Sequence, residues 1–245
     1  MSRAALRVVV IVLIGLLLGV LVEAAVFAFI PNRGDPPSVY DDFRWSSISN
    51  GYWHVNEDGG NAAIVDGILT LSGAQTEMDH LLQTDPNKTV MVAKVRGLSM
   101  YKFALGLGSY HGGTVSLEFD NDGFRCGRGT ESGWMVDDMK LWKTPPIGKW
   151  FYLRVSVFNP YPGVTNLPIK PKKSIVLTCT VYDSSGRRIA YDRPVDPPSN
   201  IRYPGIDEVY LRTWDNHNRY QVHWVYAGPV SGDPTRFFGA RASGA

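Results

Sequence analysis

The feature that most constrains the fold of this chain is a regular alternation of apolar and other side chains in short segments after residue 40. Residues 150–157 give the clearest case, and residues 175–182 and 220–226 repeat it. The residues that would share one face of the first segment are Phe151, Leu153, Val155 and Val157. Because successive side chains of a β-strand point to opposite faces, a period of two predicts strands that bury one face.

Turn signals separate these segments along the chain. Asp66-Gly67 and Ser184-Ser185-Gly186 are typical of tight hairpin turns. About a dozen short strands joined in this way predict an all-β sandwich or jelly roll. The roughly 210 residues that follow the N-terminal segment suit one large domain. We place this domain at residues 40–230 and a flexible tail at residues 231–245.

The N-terminal segment is apolar over residues 8–30 apart from Glu23, and Arg3 and Arg7 precede it. As a helix it would span roughly 34 Å, enough to cross a hydrocarbon core of about 30 Å. The basic residues before it orient the N-terminus toward the cytoplasm. The sequence therefore predicts a jelly-roll β-sandwich preceded by one N-terminal hydrophobic helix, which anchors the protein in the cell membrane with the domain outside.

Residues 1–30 also fit a second interpretation, a secretory signal whose apolar core is residues 8–22. Cleavage after Ala24 or Ala28 would then make the protein secreted. We favour the anchor because the apolar stretch is long for a signal peptide. In either case residues 31–39, a Pro/Gly-containing linker, separate this segment from the folded domain.

Charge and cysteine content exclude two classes of function. The formal net charge is +2 and the basic residues form no stripe, so we predict no nucleic-acid partner. The two cysteines, Cys126 and Cys179, lie in no metal-binding motif, which argues against a zinc site. Outside the cell they could form one disulfide, and otherwise they would be buried thiols of β-strands. The sequence leaves both interpretations open because it does not give the Cα separation that a disulfide requires.

A series of short motifs follows one order along the domain. The motifs are DDF at 41–43, GYW at 51–53, DGILTL at 66–71, GKWFYLRV at 148–155 and QVHWV at 221–225. In this order they resemble the concanavalin A-like lectin/glucanase superfamily, which includes laminin-G-like modules and laminarinase-type glycosidases. The resemblance implies a jelly-roll fold over residues 40–228. From the residues themselves we predict no cofactor; the resemblance adds calcium, for which no ligands can be named in this chain.

Catalysis has one candidate pair of residues. Laminarinase-type enzymes carry carboxylates in the pattern E-x-D-x-x-E or E-x-D-x-E, and the sequence contains neither. Glu118 and Asp120 alternate on one face of a predicted strand, roughly 7 Å apart, within the roughly 5–9.5 Å of glycosidase pairs. Because Leu117 and Phe119 form the core face of that strand, a solvated strand surface explains the two carboxylates. We therefore predict no catalytic residue and no metal ligand, with Glu118 and Asp120 as the alternative.

Aromatic and polar side chains supply a candidate binding surface. Trp150, Tyr152 and Arg154 would share the face of one strand that points away from the core. Aromatic rings stack on the apolar face of a sugar while neighbouring polar groups bond its hydroxyls. Further candidates for ligand binding are Trp134, Trp142, Trp214 and His217.

The function that we predict is a non-catalytic β-sandwich module, at the cell surface or secreted, that binds carbohydrate or another surface polymer. One alternative is a glycoside hydrolase with an unusual carboxylate site. The other is a structural or adhesive surface subunit. The missing carboxylate pattern disfavours the hydrolase and does not separate the other two.

Overall fold

A computed structural model of the chain describes the strands of the domain and many of their connections. The residues described are 38–44, 53–81, 88–99, 102–108, 114–120, 123–130, 133–135, 140–141, 147–158, 176–192 and 208–238. Within these ranges no helix is long and apolar enough to cross a membrane. The predicted hydrophobic helix at residues 8–30 lies outside them, so it stays a prediction.

The described part of the domain consists almost entirely of strands. Two short 3-10 helices, Val230–Gly232 and Pro234–Phe237, follow the last strand. The strands in chain order are β1 (Val39–Asp41), β2 (His54–Glu57), β3 (Gly60–Val65), β4 (Ile68–Gly73), β5 (Thr76–Leu81), β6 (Lys88–Ser99), β7 (Lys102–Gly108), β8 (Thr114–Asp120), β9 (Gly123–Thr130), β10 (Gly133–Met135), β11 (Lys140–Leu141), β12 (Phe151–Phe158), β13 (Val176–Asp183), β14 (Arg188–Asp192), β15 (Glu208–Thr213) and β16 (Arg219–Pro229).

The strands form two antiparallel sheets. Sheet A has the order β14-β13-β12-β6-β16-β4-β3, and β1 pairs with β16. Sheet B has the order β10-β9-β8-β7-β15-β5-β2, and β11 pairs with β9. Each sheet contains neighbours that are distant in sequence, such as β6 and β16 in sheet A and β5 and β15 in sheet B, because the chain passes between the sheets repeatedly.

One hydrophobic core lies between the two sheets. Leu69 and Leu153 of sheet A belong to the same buried cluster as Leu117 and Leu211 of sheet B. Strand β12 confirms the predicted alternation, because its odd-numbered residues from Phe151 to Val157 are at most 1% exposed while the intervening ones are half-buried. The predicted β-sandwich is therefore confirmed.

The turn between β3 and β4 is the hairpin that the sequence predicted. Asp66 has φ of 52° and Gly67 has φ of 70°. Positive φ at both central residues defines the type I′ turn that joins twisted antiparallel strands. Asp and Gly are favoured there because they tolerate the left-handed region.

A disulfide joins the two sheets. Cys126 of β9 and Cys179 of β13 are bonded, with Cα atoms 5.8 Å apart, and both are fully buried. The structure thereby decides between the two interpretations of the cysteines in favour of the disulfide.

The described residues that follow the predicted domain boundary at residue 230 pack on sheet A. We call residues 229–238 the C-terminal strap. Asp233 of the strap is 3% exposed and accepts a 2.7 Å hydrogen bond from Arg154 Nε. The Phe238 ring lies 4.7 Å from the ring of Tyr152 and 5.2 Å from that of Tyr182. A buried ion pair and aromatic packing hold this segment, and only residues 239–245 of the predicted tail lie outside the described ranges.

Candidate functional site

Four hydrogen-bonding side chains cross the outer face of sheet A, which we call face A. Arg219 of β16 is the register partner of Ser72 in β4 and of Ser99 in β6, and Ser72 is the partner of Asn61 in β3. Directly paired residues lie on the same face of a sheet, about 4.5–5.5 Å apart at Cβ. The adjacent Tyr220 points into the core, and the pairing of β16 with β6 shifts register between Arg219 and Tyr220. All four residues line one cavity, so we assign them, as the polar row, to face A.

A cavity of about 440 Å³ opens beside the polar row. The polar row lines it together with Gly60 and the loop between β15 and β16, which contributes His217. The His217 carbonyl accepts a hydrogen bond from Ser99 Oγ, which fixes the loop against β6. A Cβ on Gly60 would lie 1.7 Å from Thr76 Oγ1, so only glycine allows this close approach. We call this cavity the strand-end pocket; its volume is within the roughly 300–1,000 Å³ of small-molecule sites.

Trp150 lies on face A, about two residues further along the strands from the polar row. The guanidinium of Arg96 is 4.5 Å from the centre of the indole ring, and its Nε donates a 2.9 Å hydrogen bond to Gln221 Oε1. The Lys94 ammonium lies 5.6 Å from the ring, and the His223 ring meets it edge-on at 5.7 Å. We call these five residues the Trp150 cluster. Two residues along a strand cover roughly 6.7 Å, so the cluster and the strand-end pocket are neighbours.

Burial affects the ionisation of two members of the cluster. It lowers the pKa of Lys94, and it also lowers the pKa of His223, where the Lys94 charge adds to the effect. The carboxylate of Asp42 opposes the shift of His223, but Asp42 is itself paired with Arg44 at 2.6 Å. His223 is therefore neutral around pH 7, and the positive charge of the cluster belongs to Lys94 and Arg96.

Tyr152 and Arg154, the other predicted residues of this surface, are engaged by the C-terminal strap. The Arg154 side chain is 15% exposed, and besides Asp233 it donates to Ser156 Oγ at 2.9 Å. The Tyr152 ring packs on Phe238, and burial raises the pKa of its hydroxyl. The structure therefore separates Trp150 from these two residues, whose contacts hold the fold together.

The outer face of sheet B, face B, carries the candidate Glu118. The pairing of β9, β8, β7, β15 and β5 places five residues in one row across this face: Arg125, Glu118, Ala104, Arg212 and Glu77. The E-x-D-x-E pattern requires carboxylates at alternating positions of a strand. Two residues before Glu118 stands Ser116, whose hydroxyl donates to Glu118 Oε1 at 3.3 Å. Asp120 ends β8, and its side chain is not among those described. Glu118 and Glu77 are three strands apart, roughly 14 Å, too far for a glycosidase pair.

A group of carboxylates at the β5 edge of face B was not anticipated. Glu77, Asp79 and Glu208 bring one oxygen each within 4.8 Å of one another, a set that could hold a metal ion. Arg212 pairs with Glu77, and His54 Nδ1 lies 2.9 Å from Asp79 Oδ1. That hydrogen bond and the charge of Asp79 raise the pKa of His54. The oxygen donors suit a hard cation such as calcium, although Arg212 and His54 already compensate part of the negative charge.

The remaining predicted residues are divided between the faces and the undescribed segments. Trp214 follows β15 and is half-buried, with the Arg212 guanidinium 5.7 Å from its ring. Trp134 belongs to β10, but its side chain is not described, and Trp142 lies outside the described residues altogether. Of the predicted ligand-binding residues, His217 thus lines the strand-end pocket and Trp150 lies in the neighbouring cluster on face A.

Sequence reasoning missed Arg219, Arg96 and Lys94. Each stands at an outward position of a strand whose alternation was visible in the sequence, so the same period of two could have located them. It also missed the i, i+2 pair of Glu77 and Asp79, which has the same spacing as Glu118 and Asp120.

Comparison with known proteins identifies the fold. No protein-family model matches the chain, and no curated protein matches it in sequence. Among solved structures, the chain is similar to a glycosyl hydrolase family protein from Mycobacterium fortuitum, with a TM-score of 0.52, 12% identity and coverage of 77% of this chain and 98% of that one. It also matches a glycosyl hydrolase family 16 protein from Mycobacterium smegmatis (TM-score 0.49, 11% identity, coverage 77% and 98%).

A third match is the exoplasmic/lumenal domain of VIP36 in its Ca²⁺- and Man2-bound form (TM-score 0.47, 10% identity, coverage 78% and 86%). The match with a TM-score of 0.52 shows a shared fold, in agreement with the fold that the short motifs implied.

Proposed function

We propose that this protein is a non-catalytic carbohydrate-binding module, held outside the cell, that binds saccharide through face A. The observation that carries the proposal is the polar row, which lines the strand-end pocket directly beside the half-buried Trp150. The description of the fold as a concanavalin A-like β-sandwich does not depend on this proposal.

The chemistry of face A fits a saccharide. Sugar hydroxyls need paired donors and acceptors, and the polar row offers a guanidinium, two hydroxyls and an amide across four adjacent strands. The Trp150 cluster adds a tryptophan whose ring is fixed by Arg96 and His223. A fixed aromatic ring beside convergent polar groups is the usual composition of a small-ligand site.

One further observation supports a binding rather than a hydrolytic role. The sequence contains neither laminarinase-type carboxylate pattern, because the alternation that begins with Glu118 and Asp120 continues to Asp122 and not to a glutamate. The solved structure with a TM-score of 0.52 is named as a glycosyl hydrolase, so the fold is compatible with saccharide ligands in either role.

Export from the cytoplasm is part of the proposal. The disulfide between Cys126 and Cys179 supports it, because structural disulfides persist in oxidising compartments and are rare in the cytosol. The apolar residues 8–30, with basic residues before them, supply the signal or the anchor. Whether this segment is retained is settled by the intact mass of the mature protein.

Binding of the folded domain to a panel of polysaccharides tests the function. Mannan, xylan, β-1,3-glucan and polygalacturonate cover axial, equatorial, neutral and acidic sugars. We expect the protein to bind at least one of these polysaccharides, and we expect Trp150→Ala to weaken that binding about tenfold or more. A nucleobase stacked on an aromatic side chain contributes roughly 1–3 kcal/mol, and we expect a stacked sugar ring to contribute a similar amount. Trp214→Ala is the matched control, because it removes a half-buried, arginine-contacted indole from face B.

The opposite results would reject the proposal. Loss of binding in Trp214→Ala with Trp150→Ala unaffected would move the site to face B. Release of reducing ends by the wild type that disappears in Glu118→Gln or Glu77→Gln would make the protein a hydrolase. Binding to none of the polysaccharides, by variants and wild type alike, would leave the structural or adhesive subunit as the better account.

A further inference from the structure

Three cations on face A lack an acidic partner in the part of the chain that the structure describes. Among the described residues, no carboxylate forms an ion pair with Lys94, Arg96 or Arg219. Their outward neighbours across β3, β4, β6 and β16 are hydroxyl, amide, imidazole and indole groups. Arg154 and Arg212, in contrast, are paired with Asp233 and Glu77.

The two faces therefore differ in charge. Face B carries four described carboxylates against two guanidiniums, namely Glu77, Asp79, Glu118 and Glu208 against Arg125 and Arg212. Among the described residues, the charged groups of the polar row and the Trp150 cluster are Lys94, Arg96 and Arg219, and the nearby carboxylate of Asp42 is paired with Arg44. A binding surface of one sign attracts ligands of the other and repels those of its own.

Two of these three cations are also partly withdrawn from water. Lys94 and Arg96 are half-buried against Trp150. A charge whose desolvation has already occurred in the free protein gains more from an incoming counter-charge than an exposed one does. Arg219, in contrast, is exposed at the mouth of the strand-end pocket, where its planar guanidinium can form two parallel hydrogen bonds to a carboxylate.

We propose that face A selects acidic polysaccharides, with the carboxylate of a uronic acid unit bound by Arg219 in the strand-end pocket and the next units lying along Arg96 and Lys94 over the Trp150 cluster. This inference rests on the proposed function and specifies its ligand. The ten residues that line the pocket include an arginine and a histidine and no carboxylate, so the pocket offers donors to an oxyanion without opposing charge.

The test compares a polymer of uronic acid units with its methyl ester, in which each carboxylate has lost its charge and gained a methyl group. Polygalacturonate and its fully methyl-esterified form share the same sugar rings, and only the first carries carboxylates. We expect polygalacturonate to bind at least about tenfold more tightly, since hydrogen bonds to charged groups contribute roughly 1.5–3 kcal/mol each. This preference should shrink as salt is raised from about 0.05 to 0.5 M.

Variants locate the effect on face A. Arg219→Gln and Lys94→Gln should each reduce the affinity for polygalacturonate about tenfold and change that for the methyl ester by less than about threefold. Arg188→Gln is the control, because Arg188 is an exposed arginine on the edge strand β14 that stacks on Tyr191 at 4.9 Å. It should leave both affinities unchanged, and thermal unfolding confirms that each variant is folded.

Four results would overturn this inference. Equal affinity for the two polymers would mean that the charge is not recognised, and the proposed carbohydrate binding would stand without it. Equal affinity for polygalacturonate and poly-glutamate would mean that any polyanion binds and that the sugar ring is not recognised. Binding of dextran sulfate without polygalacturonate would exclude a carboxylate pocket. Binding of neither polymer, with Trp150→Ala indistinguishable from wild type on every polysaccharide, would reject the function itself.

Discussion

Gly106 leaves the space on face B that the ring of Tyr210 occupies. It is the register partner of Tyr210, whose ring extends across it from the neighbouring strand. A Cβ on Gly106 would lie 2.2 Å from Cζ of that ring. Tyr210 is 4% exposed and therefore has little room to move aside. The glycine is required for space, since its φ is not in the left-handed region.

Gly106→Ala should destabilise the domain by about 1–3 kcal/mol, because overpacking forces a buried ring away from its preferred position. Urea denaturation of the two proteins measures the difference. In a Tyr210→Ala background the same substitution should cost much less, since the clashing ring is absent and neighbouring substitutions are not additive. An equal cost in both backgrounds would show that the ring is not what makes Gly106 necessary.

Two outward arginines show what sequence can and cannot reveal at the scale of single residues. Arg154 and Arg96 each stand on a strand at a non-core position near a tryptophan or tyrosine, and sequence alone treats them alike. Arg154 pairs with Asp233, 79 residues away, whereas Arg96 bonds Gln221 and contacts Trp150. Alternation gives the face on which a side chain lies, but the partner depends on which distant segment packs there. The predicted binding role was therefore placed on Arg154 as well as on Trp150.

At the scale of elements, the strands were predictable and the C-terminal strap was not. Strand β12 is buried on every second residue, so its pattern is complete within eight residues of sequence. The strap consists of two 3-10 helices of three and four residues, too short to show a period. Its position depends on a buried ion pair and on Phe238, contacts between residues far apart in the chain. A segment with these properties looks like a flexible tail in sequence.

The packing of the C-terminal strap on sheet A should depend on Asp233. Asp233→Ala leaves the largely buried guanidinium of Arg154 without its partner and removes the cap of the last 3-10 helix, where Asp233 accepts from Thr235 N at 2.8 Å. Breaking one side of a buried pair costs about 3–5 kcal/mol. We expect a loss of this order in urea denaturation, together with cleavage near residue 230 under limited proteolysis.

An exposed ion pair of similar type is the control for that experiment. Arg187 and Asp183 are paired at 3.2 Å, but the Arg187 side chain is 76% exposed. Arg187→Ala should therefore cost less than about 1 kcal/mol. Similar losses in Asp233→Ala and Arg187→Ala would mean that the strap is not held by its buried pair.

At the scale of the whole molecule, the two sheets are fixed to each other by the core and by one covalent bond. The sequence predicted that apolar residues at every second position would bury themselves between two layers, and the large core cluster, which contains residues of both sheets, agrees. It could not predict which strands pair, because β6 and β16, or β5 and β15, are separated by more than a hundred residues. For the same reason the polar row, which brings Arg219 of β16 beside Ser72 of β4 and Ser99 of β6, was not predictable before the topology was known.

The disulfide should contribute a large part of the stability of this two-layer arrangement. Cys126 and Cys179 are 53 residues apart in sequence and lie on different sheets, so the bond restricts the unfolded chain and holds the layers in register. Loop-closure entropy for such a separation corresponds to about 4 kcal/mol. Cys126→Ala/Cys179→Ala should lower the free energy of unfolding by roughly 2–5 kcal/mol in urea denaturation.

Because both sulfurs are buried, the native wild type should resist reductant and become sensitive only when unfolding is approached. If the double variant were as stable as the wild type, or if mass spectrometry found two thiols in the purified protein, the sheets would be held by the core alone and the argument for an oxidising compartment would be lost.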